Sequence, residues 1–176
     1  MILVINTSGD GIELVLGDKY MHVDAEKQAI ALPGAVMDLL KTNNVYMSDL
    51  TAIGVIVGPG SFTGIRMGIA YAKGLGIGLN IPVVPVNAFE LYMYETPDAF
   101  VAIDSGRGDF FVASKVHEPC VMTIDEVETE QMKCPQTVGH KLFDLKNAVA
   151  IVENKIKSGD LQPAIPMYLR PSYVEK

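Results

Sequence analysis

The chain has 176 residues, which suffices for one average domain or for two small lobes of one fold. Its formal net charge is −7, and 49% of its residues are hydrophobic. Net acidity argues against autonomous binding to nucleic acid, although a local basic patch stays compatible with it. The start of the chain lacks the features of a signal peptide, and Arg66 and Lys73 interrupt the apolar stretch 54–86, so we expect a cytoplasmic protein without a membrane span.

The first half of the chain alternates strand and helix patterns, as in an α/β unit with a mixed sheet. Short apolar runs at 2–5 and 12–16 enclose a polar turn, which predicts a hairpin, and residues 20–23 can add a third strand. Apolar residues at helical spacing over 29–40 predict the first helix. The other predicted elements are a strand at 53–57, a helix from about 63 to 76, a strand at 81–86 and a short helix at 87–94.

The second half of the chain begins like the first. An apolar run over 100–104 ends in Asp104, and a turn rich in Ser and Gly then leads into a second apolar segment, as after the strand that ends in Asn6. This weak internal repeat indicates that one unit has been duplicated. Farther along, the short apolar run 149–152 is a candidate strand.

Residues 58–68 form a turn that leads into a helix, with the sequence Gly-Pro-Gly-Ser-Phe-Thr-Gly-Ile-Arg-Met-Gly. A phosphate-binding Walker loop requires a Lys after its last Gly, and here Ile65 follows Gly64. A helix N-terminus still offers free N–H groups to an anion. We favour a sharp strand-to-helix turn without a phosphate.

Small residues recur at every fourth position of the helix that follows. Glycine costs about 1 kcal/mol relative to alanine in a helix interior, so this stripe requires a compensating contact. Small residues four positions apart let another backbone come close. The spacing leaves two interpretations open: the stripe packs on the chain's own sheet, or it packs against a helix of another chain. The stripe consists of Gly60, Gly64, Gly68, Ala72 and Gly76.

The loop over 6–11 resembles the phosphate hairpin of the actin-like ATPases, in which an Asp at the end of the first strand serves the nucleotide's metal. Asn6 stands at that position, and an amide in place of a carboxylate removes a negative charge and a hard-metal ligand. The candidates for nucleotide contacts are Asn6, Thr7, Ser8 and, in the second half, Asp104. An actin-like ATPase or a small-molecule kinase is therefore the alternative function.

Other catalytic chemistry lacks a sequence signature. The 3 histidines do not have the HxxxH or HExxH spacing of a metallopeptidase, and no GxSxG elbow presents a nucleophilic serine. We therefore predict no catalytic residue, no metal site and no cofactor.

Four segments of the chain resemble one protein family. Residues 58–68, together with Ala-Lys-Gly-Leu at 72–75, resemble the signature of the TsaB, or YeaZ, family. Ile-Asn-Thr-Ser at 5–8 resembles the family's Ile-Asp-Thr-Ser, and Asp-Ser-Gly-Arg-Gly-Asp at 104–109 resembles its Asp-x-Arg-x-Gly-Glu. Pro-Met-Tyr-Leu-Arg at 166–170 resembles its C-terminal Pro-x-Tyr-Leu-Arg. The segments occur in the family's order and span nearly the whole chain.

The resemblance implies an actin-like (ASKHA) α/β fold of two ribonuclease-H-like lobes, with 1–98 as the N-terminal lobe and 99–176 as a shortened C-terminal lobe. It implies a subunit without transferase activity of its own, which binds and supports a TsaD-like catalytic subunit. With a TsaE-like ATPase, this pair would move a threonylcarbamoyl group onto the adenosine beside the anticodon of tRNA. We expect the protein to contact tRNA only through the complex, and the free protein is a candidate homodimer.

The resemblance also implies that pairing uses the two helices at 29–40 and 63–76, which favours an exposed stripe that receives a partner's helix. Two departures bear on this surface and on nucleotide use: Asn6 replaces Asp, and Glu-Lys-Gln-Ala at 26–29 stands where the family has a segment like His-Ser-Glu. The predicted interface residues are Leu32, Val36, Leu39, Gly60, Gly64, Arg66, Gly68, Ala72 and Gly76.

Overall fold

The computed structural model describes residues 1–133, 137–138 and 144–170. These residues form two units, each with its own sheet. The first unit comprises Met1–Asn87 and Asp144–Pro166, and the second comprises the described residues 88–133, 137–138 and 167–170. Nothing in the described part of the chain is a helix long and apolar enough to cross a membrane.

The elements follow the alternation that the sequence predicts. In chain order they are β1 Ile2–Asn6, β2 Ile12–Leu16, β3 Lys19–Val23, α1 Gln28–Thr42, a 3₁₀ helix Met47–Asp49, β4 Ala52–Ile56, α2 Phe62–Leu79, β5 Val83–Val86, α3 Ala88–Met93, β6 Phe100–Asp104, β7 Asp109–Ala113, β8 Cys120–Thr123, α4 Ile124–Lys133, β9 Thr137–Val138 and α5 Asn147–Ser158.

The first unit is built on a five-stranded mixed sheet in the order β3-β2-β1-β4-β5. The first three strands pair antiparallel, whereas β4 is parallel to β1 and β5 is parallel to β4. Every residue of β1 and β4 is buried, which requires cover on both faces of the sheet.

Helices cover both faces of this sheet. A Cβ on Gly54 of β4 would lie 2.8 Å from a methyl group of Val152, so α5 packs on the face toward which Gly54 points. Successive strand residues point to opposite faces, and Thr7, just beyond β1, meets α2 on the other face. The first residue of α1 lies against the first turn of α2, since Gln28 Oε1 is 3.1 Å from the place that a Gly64 Cβ would take. The two helices therefore meet at their first turns.

The second unit repeats the first four strands of the first. Its sheet has the order β8-β7-β6-β9, in which β6, β7 and β8 pair antiparallel and β9 is parallel to β6. One face packs against α3 through Phe89, and the other packs against α4 through Val127. The matching strand orders confirm the internal repeat.

The units divide elsewhere than at the predicted boundary between residues 98 and 99. Phe89 of α3 packs in the core of the second unit, so that unit begins at Ala88. The segment Asp144–Pro166 returns to the first unit because α5 buries Ala148, Ile151 and Val152 there. The candidate strand at 149–152 was a wrong prediction, since these residues lie inside that helix.

Candidate functional site

The polar side chains at the end of β1 are tied to one another and to β2. Asn6 is buried, its Nδ2 donates to Glu13 Oε2 at 2.6 Å, and its Oδ1 accepts from Ser8 N at 3.0 Å and Ser8 Oγ at 2.7 Å. Glu13 Oε1 also accepts from the Tyr20 hydroxyl at 2.7 Å. The Asn6 amide thus shapes the β1–β2 loop through both its donor and its acceptor.

The same loop lies directly on the first turns of α2. The buried Thr7 hydroxyl donates to Gly64 O at 2.8 Å, and Ser61 N donates to Ser8 O at 2.7 Å. Ser61 caps the helix by accepting from Gly64 N at 3.2 Å. The candidate nucleotide residues Asn6, Thr7 and Ser8 therefore come together, in a network that anchors α2 to the sheet.

The glycine stripe is covered by this network, so the expectation of an uncovered surface is wrong. A Cβ on Gly64 would lie 1.9 Å from Thr7 O, and one on Gly68 would lie 2.3 Å from Thr7 Oγ1. Farther along α2, a Cβ on Gly76 would lie 2.4 Å from a methyl group of Val83. The chain needs small residues here because its own backbone and β5 pack within contact distance of the helix.

Most of the other predicted interface residues also belong to the core of the first unit. Leu32, Val36 and Leu39 point from α1 into the core and are at most 2% exposed, and Ala72 of α2 is fully buried. Their helical spacing marks the face that packs on the sheet rather than a surface for a second molecule.

Gly60 and Arg66 are the predicted interface residues that lie at the surface. The Arg66 guanidinium stacks 3.8 Å from the centroid of the Phe62 ring, at the first turn of α2. Gly60 is exposed to solvent on one side only, because on the other side a Cβ would lie 2.4 Å from Ser8 O. Their part in an interface stays a prediction.

Sequence reasoning missed the outward faces of α1 and α2, which carry large apolar side chains in water. Ile30 and Met37 of α1 are 75% and 52% exposed, and Phe62 and Ile77 of α2 are 43% and 83% exposed. The available signal was the position of these residues outside the apolar stripe of each helix. Exposed apolar side chains mark an interaction site where they form one contiguous patch.

The same two helices carry glycines with open space beside them. A Cβ on Gly34 of α1, or on Gly74 or Gly78 of α2, would meet nothing within 4 Å. The outward faces thus combine exposed apolar side chains with positions of low bulk, which a partner's helix can approach closely. We call this surface the outer helix face; it consists of Ile30, Gly34, Met37, Phe62, Arg66, Gly74, Ile77 and Gly78.

The loop after β6 in the second unit is held by the C-terminal motif. Asp104 is exposed, and its Oδ1 accepts from Gly106 N at 2.7 Å, which is the bond of a turn-forming aspartate. Arg170 donates to Ser105 Oγ at 3.1 Å and forms an ion pair with Asp109. Two segments that resembled the family separately, 104–109 and 166–170, therefore meet through one arginine.

Metal ligands do not cluster in the described residues. Across 1–133, 137–138 and 144–170, no group of three or more His, Cys, Asp and Glu side chains is placed to hold a metal ion. Asp104 is one carboxylate on a turn, and the Asn6 network contains the single carboxylate of Glu13.

Comparison with known proteins gives consistent matches. The family model described as TsaD, tRNA N6-adenosine threonylcarbamoyltransferase, matches residues 23–162. The tRNA threonylcarbamoyladenosine biosynthesis protein TsaB of Escherichia coli K12 is 42% identical over 116 residues, which are 62% of this chain and 50% of that protein. The TsaB of Haemophilus influenzae is 32% identical over 132 residues, which are 66% of this chain and 54% of that protein. The chain spans about half the length of these curated relatives.

A solved structure extends the likeness to the whole fold. The structure of YeaZ from Pseudomonas aeruginosa superposes with a TM-score of 0.74 at 20% identity, over 96% of this chain and 99% of that one. The likeness shows the fold, an α/β fold of the actin-like type, as predicted.

Proposed function

The chain belongs to the family described by the TsaD threonylcarbamoyltransferase model, and within it to the TsaB, or YeaZ, group; from this premise we propose that it is a non-catalytic subunit of the complex that makes N6-threonylcarbamoyladenosine in tRNA. Its role is to bind and support a TsaD-like catalytic subunit. The curated names of its relatives support the pathway, and the outer helix face supports the mode of action.

The observation that carries this proposal is the exposure of apolar side chains on the outer helix face. Burying a side chain such as Ile or Phe is worth about 1.5–3 kcal/mol relative to leaving it in water. Ile30 and Ile77 are each more than two-thirds exposed, at 75% and 83%. A partner helix laid on this face would bury them, and the bare Gly74 and Gly78 would let its backbone come close.

The network at the end of β1 supports the non-catalytic part of the proposal. Asn6 brings no charge to balance a nucleotide's metal, and its amide bonds to Glu13 and Ser8. The Thr7 hydroxyl bonds to the α2 backbone. We expect the purified chain to give no binding heat when titrated calorimetrically with Mg-ATP, and clear binding would favour an actin-like ATPase or kinase instead.

Aspartate substitutions on the outer helix face test the assembly. Met37→Asp and Ile77→Asp should each weaken association with a TsaD homologue from the same cell at least tenfold, because an isolated carboxylate would be buried in the interface. Met132→Asp on α4 is the matched control, since Met132 is 83% exposed in the second unit. Sedimentation of mixtures gives the affinities. Full association by both helix variants, with folding intact, would contradict the proposed surface.

The remaining partners follow from the same surface. Alone, the chain would form a homodimer through the outer helix face, because an apolar helix face can pair with its own copy. The catalytic subunit would then displace the second copy. A TsaE-like ATPase would join the assembled pair, and tRNA would bind through the complex, since the chain's net charge of −7 disfavours independent binding.

A further inference from the structure

Gln28, the first residue of α1, reaches out of its helix to the loop between β1 and β2. Its Nε2 donates to Gly9 O at 3.0 Å and also to Gly11 O. A primary amide nitrogen carries two N–H groups, so one side chain serves both carbonyls. The tip of the loop is thereby tied to the start of a helix that follows 17 residues later.

The base and the tip of this loop are held differently. At the base, Ser8 bonds to Asn6 and to Ser61 N, which fixes it against β1 and α2. At the tip, Asp10 is exposed, and a Cβ on Gly9 would meet nothing within 4 Å. The tip is therefore open to solvent on one side and bonded to Gln28 on the other.

Gln28 also lies at the junction of the two helices that form the outer helix face. Its Oε1 is 3.1 Å from the place of a Gly64 Cβ, in the first turn of α2, and Ile30 follows two residues later on α1. Gln28 thus links the loop tip to the first turn of α1. The loop, α1 and α2 meet at this one side chain.

We propose that Gln28 is a positioning residue that couples the β1–β2 loop to the outer helix face. In the free chain, its two hydrogen bonds hold the loop tip closed. A partner that binds the face at Ile30 steadies the first turn of α1 and so tightens the loop further. This second step rests on the proposed function, whereas the first concerns the free chain alone.

The first step is tested by NMR relaxation of the backbone amides of the free chain. Gln28→Met keeps the length of the side chain without donors, and Gln28→Glu sets a carboxylate against two carbonyls. Both should lower the backbone order parameters of residues 9–11 from the rigid range of about 0.85 toward about 0.6, because the two anchored carbonyls are released. Lys27→Ala is the matched control, because Lys27 is exposed and makes no side-chain capping bond. Unchanged order parameters in both variants would overturn the positioning role.

The second step is tested by repeating the relaxation measurement with a saturating TsaD homologue, at a protein concentration at which sedimentation shows the free chain to be a monomer. Bound wild-type chain should show higher order parameters at 9–11 than the free monomer, and bound Gln28→Met should not. If the complex forms and the loop keeps the order parameters of the free monomer, the coupling is wrong. If wild-type chain forms no complex, the proposed function and the coupling both fail, and the free-chain result still decides whether Gln28 holds the loop.

Discussion

At the scale of single residues, two glycines of α2 differ in what surrounds them. A Cβ on Gly64 would lie 1.9 Å from Thr7 O, whereas one on Gly74 would meet nothing within 4 Å. We expect Gly64→Ala to destabilise the chain by about 3 kcal/mol, because backbone must move to make room. Gly74→Ala should instead stabilise it by up to about 1 kcal/mol, the helix cost of glycine. Urea unfolding followed by circular dichroism gives both values.

The variants at Gly64 and Gly74 also distinguish an effect on folding from an effect on assembly, because both positions lie on α2. A bulky residue at Gly64 or Gly68 would disturb the contact with Thr7, so loss of association in such variants would report on folding rather than on an interface. Similar changes in the unfolding free energy for Gly64→Ala and Gly74→Ala would contradict the packing described for the stripe.

The Tyr20 hydroxyl offers a titration that reports on the network at the end of β1. Partial burial and the hydrogen bond to Glu13 raise the pKa of Tyr20 to about 12 from 10.0. A raised pKa means that the fold favours the neutral phenol. The contribution of Tyr20 to the free energy of unfolding is therefore complete below pH 10 and is lost as the pH rises through about 12. The difference in ultraviolet titration between wild type and Tyr20→Phe should have its midpoint near 12; a midpoint near 10 would contradict the bond to Glu13.

At the scale of elements, Arg170 fastens the C-terminal segment to the loop between β6 and β7. Its guanidinium bonds to Ser105 and Asp109 together, which a lysine's point charge does not reproduce. We expect Arg170→Lys to cost about 1 kcal/mol and to speed amide exchange over 105–109, since the pair is partly shielded from water. Lys115→Ala is the control: it breaks a pair with Asp98 whose side chains are each 67% exposed, and it should change little. Equal effects would show that Arg170 is an ordinary surface charge.

At the scale of the whole molecule, the first unit is completed by a helix from the far end of the described chain. Ile151 and Val152 of α5 are buried there, and Lys155 Nζ donates to Pro85 O at 2.8 Å. Burying two such apolar side chains is worth several kcal/mol, out of a typical total stability of about 5–15 kcal/mol.

A fragment of residues 1–87 should therefore unfold without cooperativity and bind a hydrophobic dye. The same fragment joined to 144–166 by a flexible linker should regain a cooperative transition. Calorimetry and dye fluorescence check this. Val152→Asp in the joined fragment is the control, because a buried carboxylate should again abolish the cooperative transition. Cooperative unfolding of 1–87 alone would contradict the assignment of α5 to the first unit.

Local pattern was sufficient to predict most of the elements and the repeat. Runs such as 2–5 and 12–16 are apolar, short and bounded by turn residues, and these properties of neighbouring residues are visible without knowledge of tertiary contacts. The run 149–152 was misassigned because four apolar residues fit a strand and a buried helix equally well. The family likeness was also readable from the chain, since residues 58–68 form a specific motif.

The local pattern did not decide which helix faces pack in the core and which face solvent. Glycines at every fourth position fit a buried stripe and an exposed one alike, because spacing places residues on one side of a helix without saying what lies there. Thr7, which is 57 residues from Gly64 in the sequence, covers Gly64 and Gly68, and Val83 of β5 covers Gly76. These contacts turn the stripe inward. The outer helix face and the return of α5 to the first sheet likewise depend on contacts between distant parts of the chain, which spacing along the sequence does not encode.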